Sequence, residues 1–195
     1  MLYLASRSPR RRQLLRQLRQ PFRVVRSTHR EAIRADEPPS VNAMRNALGK
    51  ACKARVPQGA AGIVIGADTF LYFRGRVIGK PRTLREARGI LRALSGRSHW
   101  VYTGLGLVDV ATGRSRRSFT KSQVTFKPVT DRTITRLFAR VRPLDKAGGY
   151  AIQEDRGELI ARIQGSRSNV IGLPLELLRK ELAALQSAGR MAQDR

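Results

Sequence analysis

Cysteine, histidine and long apolar runs are scarce in this sequence, and each shortage excludes a class of protein. The 195 residues include one cysteine, Cys52, so no intramolecular disulfide contributes to stability. The two histidines lie far apart, which argues against a histidine-rich zinc site, and His99, beside Trp100, is interpreted as structural. No apolar run approaches the roughly 18 residues of a membrane span. We therefore expect a soluble, cytoplasmic protein that is neither exported nor membrane-bound.

Acidic residues are also few, and the resulting charge points to polyanionic partners. The chain has 14 Asp and Glu against 39 Lys and Arg, which gives a net charge of +25. Such a charge favours nucleotides, nucleic acid or anionic lipid and speeds encounter with any of them. The basic residues are spread over the whole chain, so the charge alone does not choose among these partners.

Aromatic residues make up only 6% of the chain, which bears on a competing interpretation. A basic module without catalysis could bind single-stranded nucleic acid by stacking bases on Tyr72, Phe73, Trp100 and Tyr102. Against it, these residues form no block of the kind that RNA-recognition domains carry. We expect any nucleic-acid binding to be non-specific.

Hydrophobic patterning predicts an α/β chain with a mixed sheet, because strands and helices alternate early and long neighbouring strands follow. Predicted strands cover residues 2–5, 22–26, 62–67, 70–73, 76–78, 99–110, 117–126 and 158–163. One predicted helix begins at Pro9, and four more cover residues 41–56, 83–94, 130–141 and 174–185. We expect a single domain over residues 1–186 and a frayed tail over 187–195.

The loop from Ala5 to Arg11 leaves a predicted strand and enters a predicted helix. Its free backbone N–H groups and a helix dipole of about half a positive charge point at one place. Ser8 adds a hydroxyl, and Arg10 and Arg11 can bind phosphate through two N–H groups each. The pattern predicts a phosphate site, although a simple helix cap with solvated arginines remains an alternative.

Asp68 follows an apolar strand, at the edge where ligand sites of α/β sheets open. A carboxylate there can hold Mg²⁺ or activate water, although it can also be a plain turn residue. Lys50 and Lys80 are candidate phosphate contacts or surface lysines. Glu31 is a candidate second metal ligand or a charge partner of a neighbouring arginine.

Several segments, in this order, resemble the Maf family and together span residues 2–175. They are Leu4-Ala-Ser-Arg-Ser-Pro-Arg-Arg11, Gly66-Ala-Asp-Thr69, Gly79-Lys-Pro81, Leu94-Ser-Gly96 with His99 and Thr103-Gly104, Asp145-Lys-Ala-Gly148 with Tyr150-Ala-Ile-Gln153, and Gly165-Ser166 with Asn169-Val-Ile-Gly-Leu-Pro-Leu175. The resemblance implies an elongated, two-lobed α/β fold around a central cleft, similar to inosine triphosphate pyrophosphatases, and a homodimer. It also implies Mg²⁺- or Mn²⁺-dependent hydrolysis of a nucleoside triphosphate to the monophosphate and pyrophosphate.

By position in these motifs, the resemblance implies that Asp68 is the catalytic acidic residue and binds metal or deprotonates water. Ser8, Arg11 and Lys80 would bind phosphates. Glu31 and Lys50 match the acidic loop and the lysine of the following helix.

Within the family, Arg10, Thr69 and Gln153 match the branch that favours dTTP and UTP, with modified nucleotides as further candidates. Two departures stand beside this match. The early loop has Arg30 before Glu31 where two acidic residues are common. Glu154 and Asp155 follow Gln153 where glycine is usual, which we expect to reshape the base pocket.

Overall fold

The computed structural model describes residues 1–193, with side chains described through residue 187. The strands of this part of the chain are β1 (Leu2–Leu4), β2 (Phe22–Val24), β3 (Ile63–Phe73), β4 (Arg76–Ile78), β5 (Ser98–Asp109), β6 (Ser115–Phe126) and β7 (Ile160–Gln164). The α-helices are α1 (Pro9–Arg16), α2 (Pro39–Cys52), α3 (Leu84–Leu94), α4 (Asp131–Phe138), α5 (Arg167–Ile171) and α6 (Leu175–Gln193). Two short 3₁₀ turns, Pro143–Asp145 and Ala147–Gly149, precede β7.

The seven strands form one sheet in the order β2-β1-β3-β5-β6-β7, with β4 paired to β3. β1 runs parallel to both β2 and β3, whereas β4 pairs with β3 and β7 pairs with β6 in antiparallel fashion. The sheet is therefore mixed, and the predicted α/β class is confirmed.

The chain divides into two compact units. The first comprises Met1–Asp68, Thr103–Thr120 and the chain from Gly172 onward, and the second comprises Thr69–Tyr102 and Lys121–Ile171. The long strands β3, β5 and β6 contribute residues to both units.

In the first unit, glycines allow helix α2 to lie directly on the sheet. A Cβ atom at Gly66 would stand 2.1 Å from the carbonyl oxygen of Ala47, and one at Gly104 would stand 2.1 Å from that of Ala43. Ala43 and Ala47 are fully buried in this contact. Only glycine on the strands permits so close an approach, which fixes the height of α2 above β3.

The second unit has its own apolar core, built from α3, α4 and one face of the sheet. Its fully buried members include Leu91, Leu94, Val124 and Ile134. Thr83 and Thr130 cap α3 and α4 by accepting backbone N–H groups.

The predicted ends of β3 and α6 were wrong, and one helix was missed. β3 continues through Asp68 to Phe73, so Asp68 lies within a strand and not at its carboxyl end; the cause is the antiparallel hairpin with β4, which prolongs the strand. Helix α6 continues to Gln193, beyond the predicted end at Leu185, and the short helix α5 was not predicted. The frayed tail and the single domain over residues 1–186 stay predictions, and residues 194–195 lie outside the described part.

Among residues 1–193, none of the helices combines the length and the apolar character that crossing a bilayer requires.

Candidate active site

The loop before α1 is organised by its two serines. Ser8 is the N-cap of α1, and its side chain accepts the backbone N–H of Arg11 at 3.4 Å. Ser6 accepts the backbone N–H of Ser8 at 3.2 Å, and Pro9 occupies the first helical turn. Arg10 is half-buried in the same turn. The helix-cap interpretation is thus correct for Ser8, and the cap leaves the N-terminal turn of α1 in the geometry that favours anions.

Arg11 is held firmly within the first unit. Its Nε donates to the carbonyl oxygen of Gly172 at 2.7 Å, and one terminal nitrogen donates to Ser6 Oγ at 3.3 Å. Burial lowers the pKa of the Arg11 guanidinium, while the negative charges of Asp68 and Glu31 act in the opposite direction. The electrostatic coupling places Arg11 in the field of both predicted acidic site residues.

Asp68 is buried on β3, with 5% of its surface exposed, and both carboxylate oxygens accept hydrogen bonds. Oδ1 accepts from Lys50 Nζ at 2.7 Å, and Oδ2 accepts from Asn46 Nδ2 at 2.9 Å. Asn46 and Lys50 lie one turn apart on α2, so both point at the same carboxylate. The ordinary-turn interpretation of Asp68 was therefore wrong.

Lys50 joins the two predicted acidic residues. Its ammonium lies 2.5 Å from Glu31 Oε1 and 2.7 Å from Asp68 Oδ1, and it also donates to the carbonyl oxygen of Ala67 at 3.1 Å. The Glu31 side chain is 57% exposed, whereas those of Lys50 and Asp68 are 11% and 8% exposed. Glu31 thus presents a carboxylate to solvent beside a buried ion pair, and Lys50 is not a surface lysine.

The carboxylates of Glu31 and Asp68 fit a divalent ion whose remaining ligands would come from a phosphorylated molecule. The described residues contain no cluster of three or more His, Cys, Asp or Glu side chains suited to a metal. Mg²⁺ is, however, commonly bound by one or two carboxylates together with substrate phosphates and water. Glu31 and Asp68 supply two hard carboxylates, both within reach of one ammonium group.

The remaining predicted site residues lie in the second unit. Thr69, the neighbour of Asp68 on β3, is half-buried, and Lys80 and Gln153 are exposed. The backbone N–H of Gly148 donates to the carbonyl oxygen of Gly79 at 2.9 Å. This bond ties the turn that carries Lys80 to the loop that leads towards Gln153.

Glu154 and Asp155 have partners inside the second unit. Glu154 Oε1 lies 3.6 Å from Nζ of the buried Lys146. The Asp155 carboxylate accepts the backbone N–H groups of residues 158, 159 and 160 at 2.9–3.1 Å, at the start of β7. Asp155 thereby fixes the loop after Gln153.

His99 is confirmed as a buried structural residue. Its Nε2 is hydrogen-bonded to the Tyr150 hydroxyl at 2.6 Å, and both rings pack edge-on against Phe126. Burial lowers the pKa of His99 to about 4 and raises the pKa of Tyr150. His99 is therefore neutral near pH 7 and is not suited to proton transfer there.

The aromatic residues of the competing interpretation contact other side chains of the second unit. Tyr102 stacks on Phe70 at 6.2 Å between ring centroids and meets Tyr72 edge-on, and Lys121 Nζ lies 4.6 Å from the centre of the Trp100 ring. These contacts account for the rings as packing within the unit.

Asn46 is the site residue that the sequence interpretation missed. An asparagine inside a helix does not by itself indicate a functional site. Its helix propensity is low, and its side chain usually hydrogen-bonds to nearby backbone groups. The signal that could have found it is the spacing of Asn42, Asn46 and Lys50, which repeats every four residues and places three polar groups on one face of α2.

The first unit thus contains a helix N-terminus, a half-buried arginine that interacts electrostatically with two carboxylates, and a lysine that links those carboxylates. That arrangement defines a class of α/β protein suited to a phosphorylated, metal-binding ligand.

Comparison with known proteins identifies the family. The model of the family described as Maf-like protein matches residues 1–185. The dTTP/UTP pyrophosphatase of Syntrophus aciditrophicus is 43% identical over 89% of this chain and 84% of that protein. The dTTP/UTP pyrophosphatase of Moorella thermoacetica is 41% identical over 93% of each, and a Bacillus cereus protein of the same name is 39% identical over 93% of this chain and 88% of its own length. The chain belongs to the Maf family.

A solved structure is also similar at a lower level. It is a nucleoside-triphosphatase / dITP/XTP pyrophosphatase from Mycobacterium abscessus, 14% identical, with a TM-score of 0.43 over 96% of this chain and 97% of that one.

Proposed function

We infer that the chain is a nucleoside triphosphate pyrophosphatase that hydrolyses dTTP and UTP to the monophosphate and pyrophosphate. The observation that carries this inference is the cluster in which Lys50 links the carboxylates of Asp68 and Glu31, with Arg11 in their field. Family membership supports this inference. The relatives named dTTP/UTP pyrophosphatase match this chain over most of its length.

We propose that the phosphates are bound first by the turn at the start of α1. The backbone N–H groups of that turn, the Ser8 hydroxyl and the guanidinium of Arg11 offer donors to a triphosphate. Arg11 is pre-oriented by its bonds to Gly172 and Ser6, so little side-chain entropy is lost when phosphate binds. Lys80 is assigned a further phosphate contact on the strength of the Gly-Lys-Pro motif.

Hydrolysis breaks the bond between the α phosphorus and the oxygen that bridges to the β phosphorus. A water oxygen forms the new bond to the α phosphorus, and pyrophosphate leaves with the bridging oxygen. We propose that Asp68 accepts the proton of the attacking water or, together with Glu31, would hold a divalent metal. Lys50 and Asn46 fix the Asp68 carboxylate during this step, because each occupies one of its oxygens.

Glu31 and Asp68 would hold the divalent ion, Mg²⁺ or Mn²⁺. When bound, such an ion neutralises phosphate charge and polarises the reacting phosphoryl group. The arginine that precedes Glu31 is exposed, and a single carboxylate from this loop would be sufficient beside Asp68, because Mg²⁺ is commonly held by one or two carboxylates together with substrate phosphates.

Base selection is assigned to Gln153, with Arg10 and Thr69 contributing by resemblance to the dTTP/UTP branch. A glutamine amide has both a donor and an acceptor, which match neighbouring N–H and carbonyl groups on the edge of uracil or thymine. Modified pyrimidine nucleotides with the same edge are included in this proposal. We further propose a homodimer and a cytoplasmic location, on the family resemblance and on the single cysteine.

The site of attack can be tested with isotopically labelled water. When UTP and Mg²⁺ are incubated with the protein in ¹⁸O water, we expect the label in UMP and none in pyrophosphate. Label in pyrophosphate would show attack at the β phosphorus, and release of orthophosphate would show cleavage at the γ phosphate. Either result would contradict the proposed reaction.

A further inference from the structure

Asn46 is almost fully buried, with 1% of its surface exposed, and its side-chain amide contacts two parts of the site. Nδ2 donates to Asp68 Oδ2 at 2.9 Å and to the carbonyl oxygen of Ala32 at 3.1 Å. Oδ1 accepts the backbone N–H of Ala32 at 3.2 Å. One amide therefore holds the Asp68 carboxylate and also Ala32. Because Ala32 follows Glu31 directly, the same amide holds the loop that carries Glu31.

The backbone of α2 beside Asn46 is packed closely against the sheet. The neighbouring Ala47 lies against Gly66, where a single added Cβ would stand 2.1 Å from the Ala47 carbonyl oxygen. Helix α2 is thus packed on β3 at Gly66. Asp68 lies on the same strand, two residues after Gly66. The direction of the Asn46 amide is set by packing and not by solvent.

An amide of this length satisfies all of these partners at once. The two N–H groups of Nδ2 serve two acceptors, and Oδ1 accepts the backbone N–H of Ala32 and is hydrogen-bonded to His29 Nε2 at 3.4 Å. An aspartate would lack both donors and place a second carboxylate beside Asp68. A leucine has the same branching but a larger volume, and it would leave the Asp68 oxygen and both Ala32 backbone groups without this partner.

We propose that Asn46 is a positioning residue, which orients the Asp68 carboxylate and holds the Glu31 loop next to it. The inference rests on the proposed function and deepens it. Lys50 fixes one oxygen of Asp68 and Asn46 fixes the other, so the plane of the carboxylate is determined only when both are present.

Asn42 offers a matched control one turn earlier on α2. It is equally buried, and it holds the same loop by accepting the backbone N–H of Arg34 at 2.8 Å and donating to the carbonyl oxygens of Arg34 and Glu37. Both asparagines contact the loop after Glu31, but of the two only Asn46 also contacts Asp68. The two asparagines therefore separate a loop-holding role from carboxylate positioning.

The experiment compares Asn46→Leu with Asn42→Leu in steady-state kinetics on UTP and Mg²⁺. We expect Asn46→Leu to lower kcat at least about tenfold, because misplacing a reacting group by about 1 Å can cost about a hundredfold. KM should stay within about threefold, since the phosphate contacts at Ser8 and Arg11 are untouched. Asn42→Leu should keep kcat within about threefold.

A second comparison uses Asp68→Asn as the background. If Asn46 acts through Asp68, adding Asn46→Leu to Asp68→Asn should lower the residual rate little further. Equal kcat losses in the two leucine variants, or independent losses in the double variant, would overturn the proposal. Where Asn46→Leu fails to fold, Asn46→Asp keeps the shape and should lose at least as much kcat.

A spectroscopic readout separates this inference from the proposed reaction. The side-chain amide signal of Asn46 in a ¹⁵N-labelled protein should shift in Asp68→Asn, whereas that of Asn42 should stay in place. An unchanged Asn46 signal would contradict the contact. If the unsubstituted protein releases no pyrophosphate, the proposed function fails and the Asn46–Asp68 contact is judged on this signal alone.

Discussion

Asp68 has a donor at each carboxylate oxygen, Lys50 at one and Asn46 at the other. A buried ion pair of this kind is costly to break on one side, because the remaining charge is left without a partner. The same arrangement is useful for chemistry, since a carboxylate with a fixed plane presents its remaining lone pairs in a fixed direction.

Asp68→Asn should therefore fold but lose most of its hydrolysis. The amide neither accepts a proton nor supplies charge to a metal, so we expect a loss of at least about a hundredfold in kcat. The NH₂ group of the new asparagine must face one of two donors, Lys50 Nζ or Asn46 Nδ2. This mismatch should lower the free energy of unfolding by about 1–3 kcal/mol. The exposed Asp131→Asn serves as control and should keep the normal rate. A folded Asp68→Asn protein with near-normal turnover would remove this residue from the mechanism.

His99 gives a pH dependence of stability that is separate from catalysis. Burial lowers its pKa to about 4 in the folded chain, so between about pH 4 and pH 6.5 the unfolded chain binds a proton that the folded chain excludes. Stability due to this group is full above about pH 6.5 and falls as the pH is lowered. Between pH 7.5 and pH 5 the contribution should amount to about 2 kcal/mol.

The measurement is urea unfolding of the unsubstituted protein and of His99→Gln across that range. Relative to the variant, the unsubstituted protein should lose about 2 kcal/mol more on going from pH 7.5 to pH 5. Parallel pH profiles for the two proteins would show that His99 titrates normally in the folded state.

At the scale of elements, the contact between α2 and β3 is the feature that assembles the site. It was predictable in part. Helical spacing located α2 and apolar runs located β3, but nothing local shows that Gly66 and Gly104 are the points where the helix rests. Such contacts depend on which elements the topology brings together, and that information is not contained in either segment.

The same limit explains the boundary errors. The predicted strand covered residues 62–67 and stopped before Asp68, because a carboxylate after an apolar run is typical of a turn. Pairing of β3 with β4 carries the strand on to Phe73 and overrides that local preference. The strands predicted over residues 70–73 and 76–78 pair as a hairpin, and Arg74 and Gly75, which join them, both adopt positive φ.

Gly66→Ala tests the contact directly. The added Cβ would stand 2.1 Å from the Ala47 carbonyl oxygen, so α2 must move away from β3. We expect a loss of about 1–3 kcal/mol in stability and a fall in kcat, because Asn46 and Lys50 move with the helix.

Gly89→Ala is the matched control for this substitution. Gly89 lies within α3, and a Cβ there meets nothing within 4 Å. Its stability should be unchanged or raised by up to about 1 kcal/mol, since alanine is the better helix former. Equal effects of the two substitutions would contradict the proposed role of the Gly66 contact.

At the scale of the whole molecule, the resemblance in the sequence anticipated the family, which the match over residues 1–185 confirms. The α/β class followed from periodicity alone. The sequence also named Ser8, Arg11, Glu31, Lys50 and Asp68. In the first unit Lys50 contacts Glu31 and Asp68, Arg11 interacts electrostatically with both carboxylates, and Ser8 caps the helix that carries Arg11. The sequence did not indicate Asn46, because a buried amide becomes informative only when its partners, distant in sequence, are known.

The net charge of +25 is not required by a site of this size, and it leads to a prediction for the surface. Binding of the protein to single-stranded DNA should be sequence-blind and should weaken steeply with salt, because dispersed arginines and lysines release counterions from phosphates. Fluorescence anisotropy with unrelated oligonucleotides at rising NaCl concentration measures this. Tight binding that survives high salt and prefers one sequence would favour the nucleic-acid-binding interpretation instead.

The central claim is hydrolysis of dTTP and UTP to monophosphate and pyrophosphate, with Gln153 carrying part of the base selection. The most direct measurement is kcat/KM for UTP, dTTP, CTP, GTP and 7-methyl-GTP with Mg²⁺ or Mn²⁺, scored by pyrophosphate release, with and without Gln153→Ala. We expect UTP and dTTP to exceed the others by about tenfold or more, since an unpaired polar group at a pocket costs about 1–3 kcal/mol, and the substitution should reduce that ratio. Equal rates on all five nucleotides, or a preference unchanged by Gln153→Ala, would contradict the assignment of the base, and absence of pyrophosphate from every nucleotide would contradict the account as a whole.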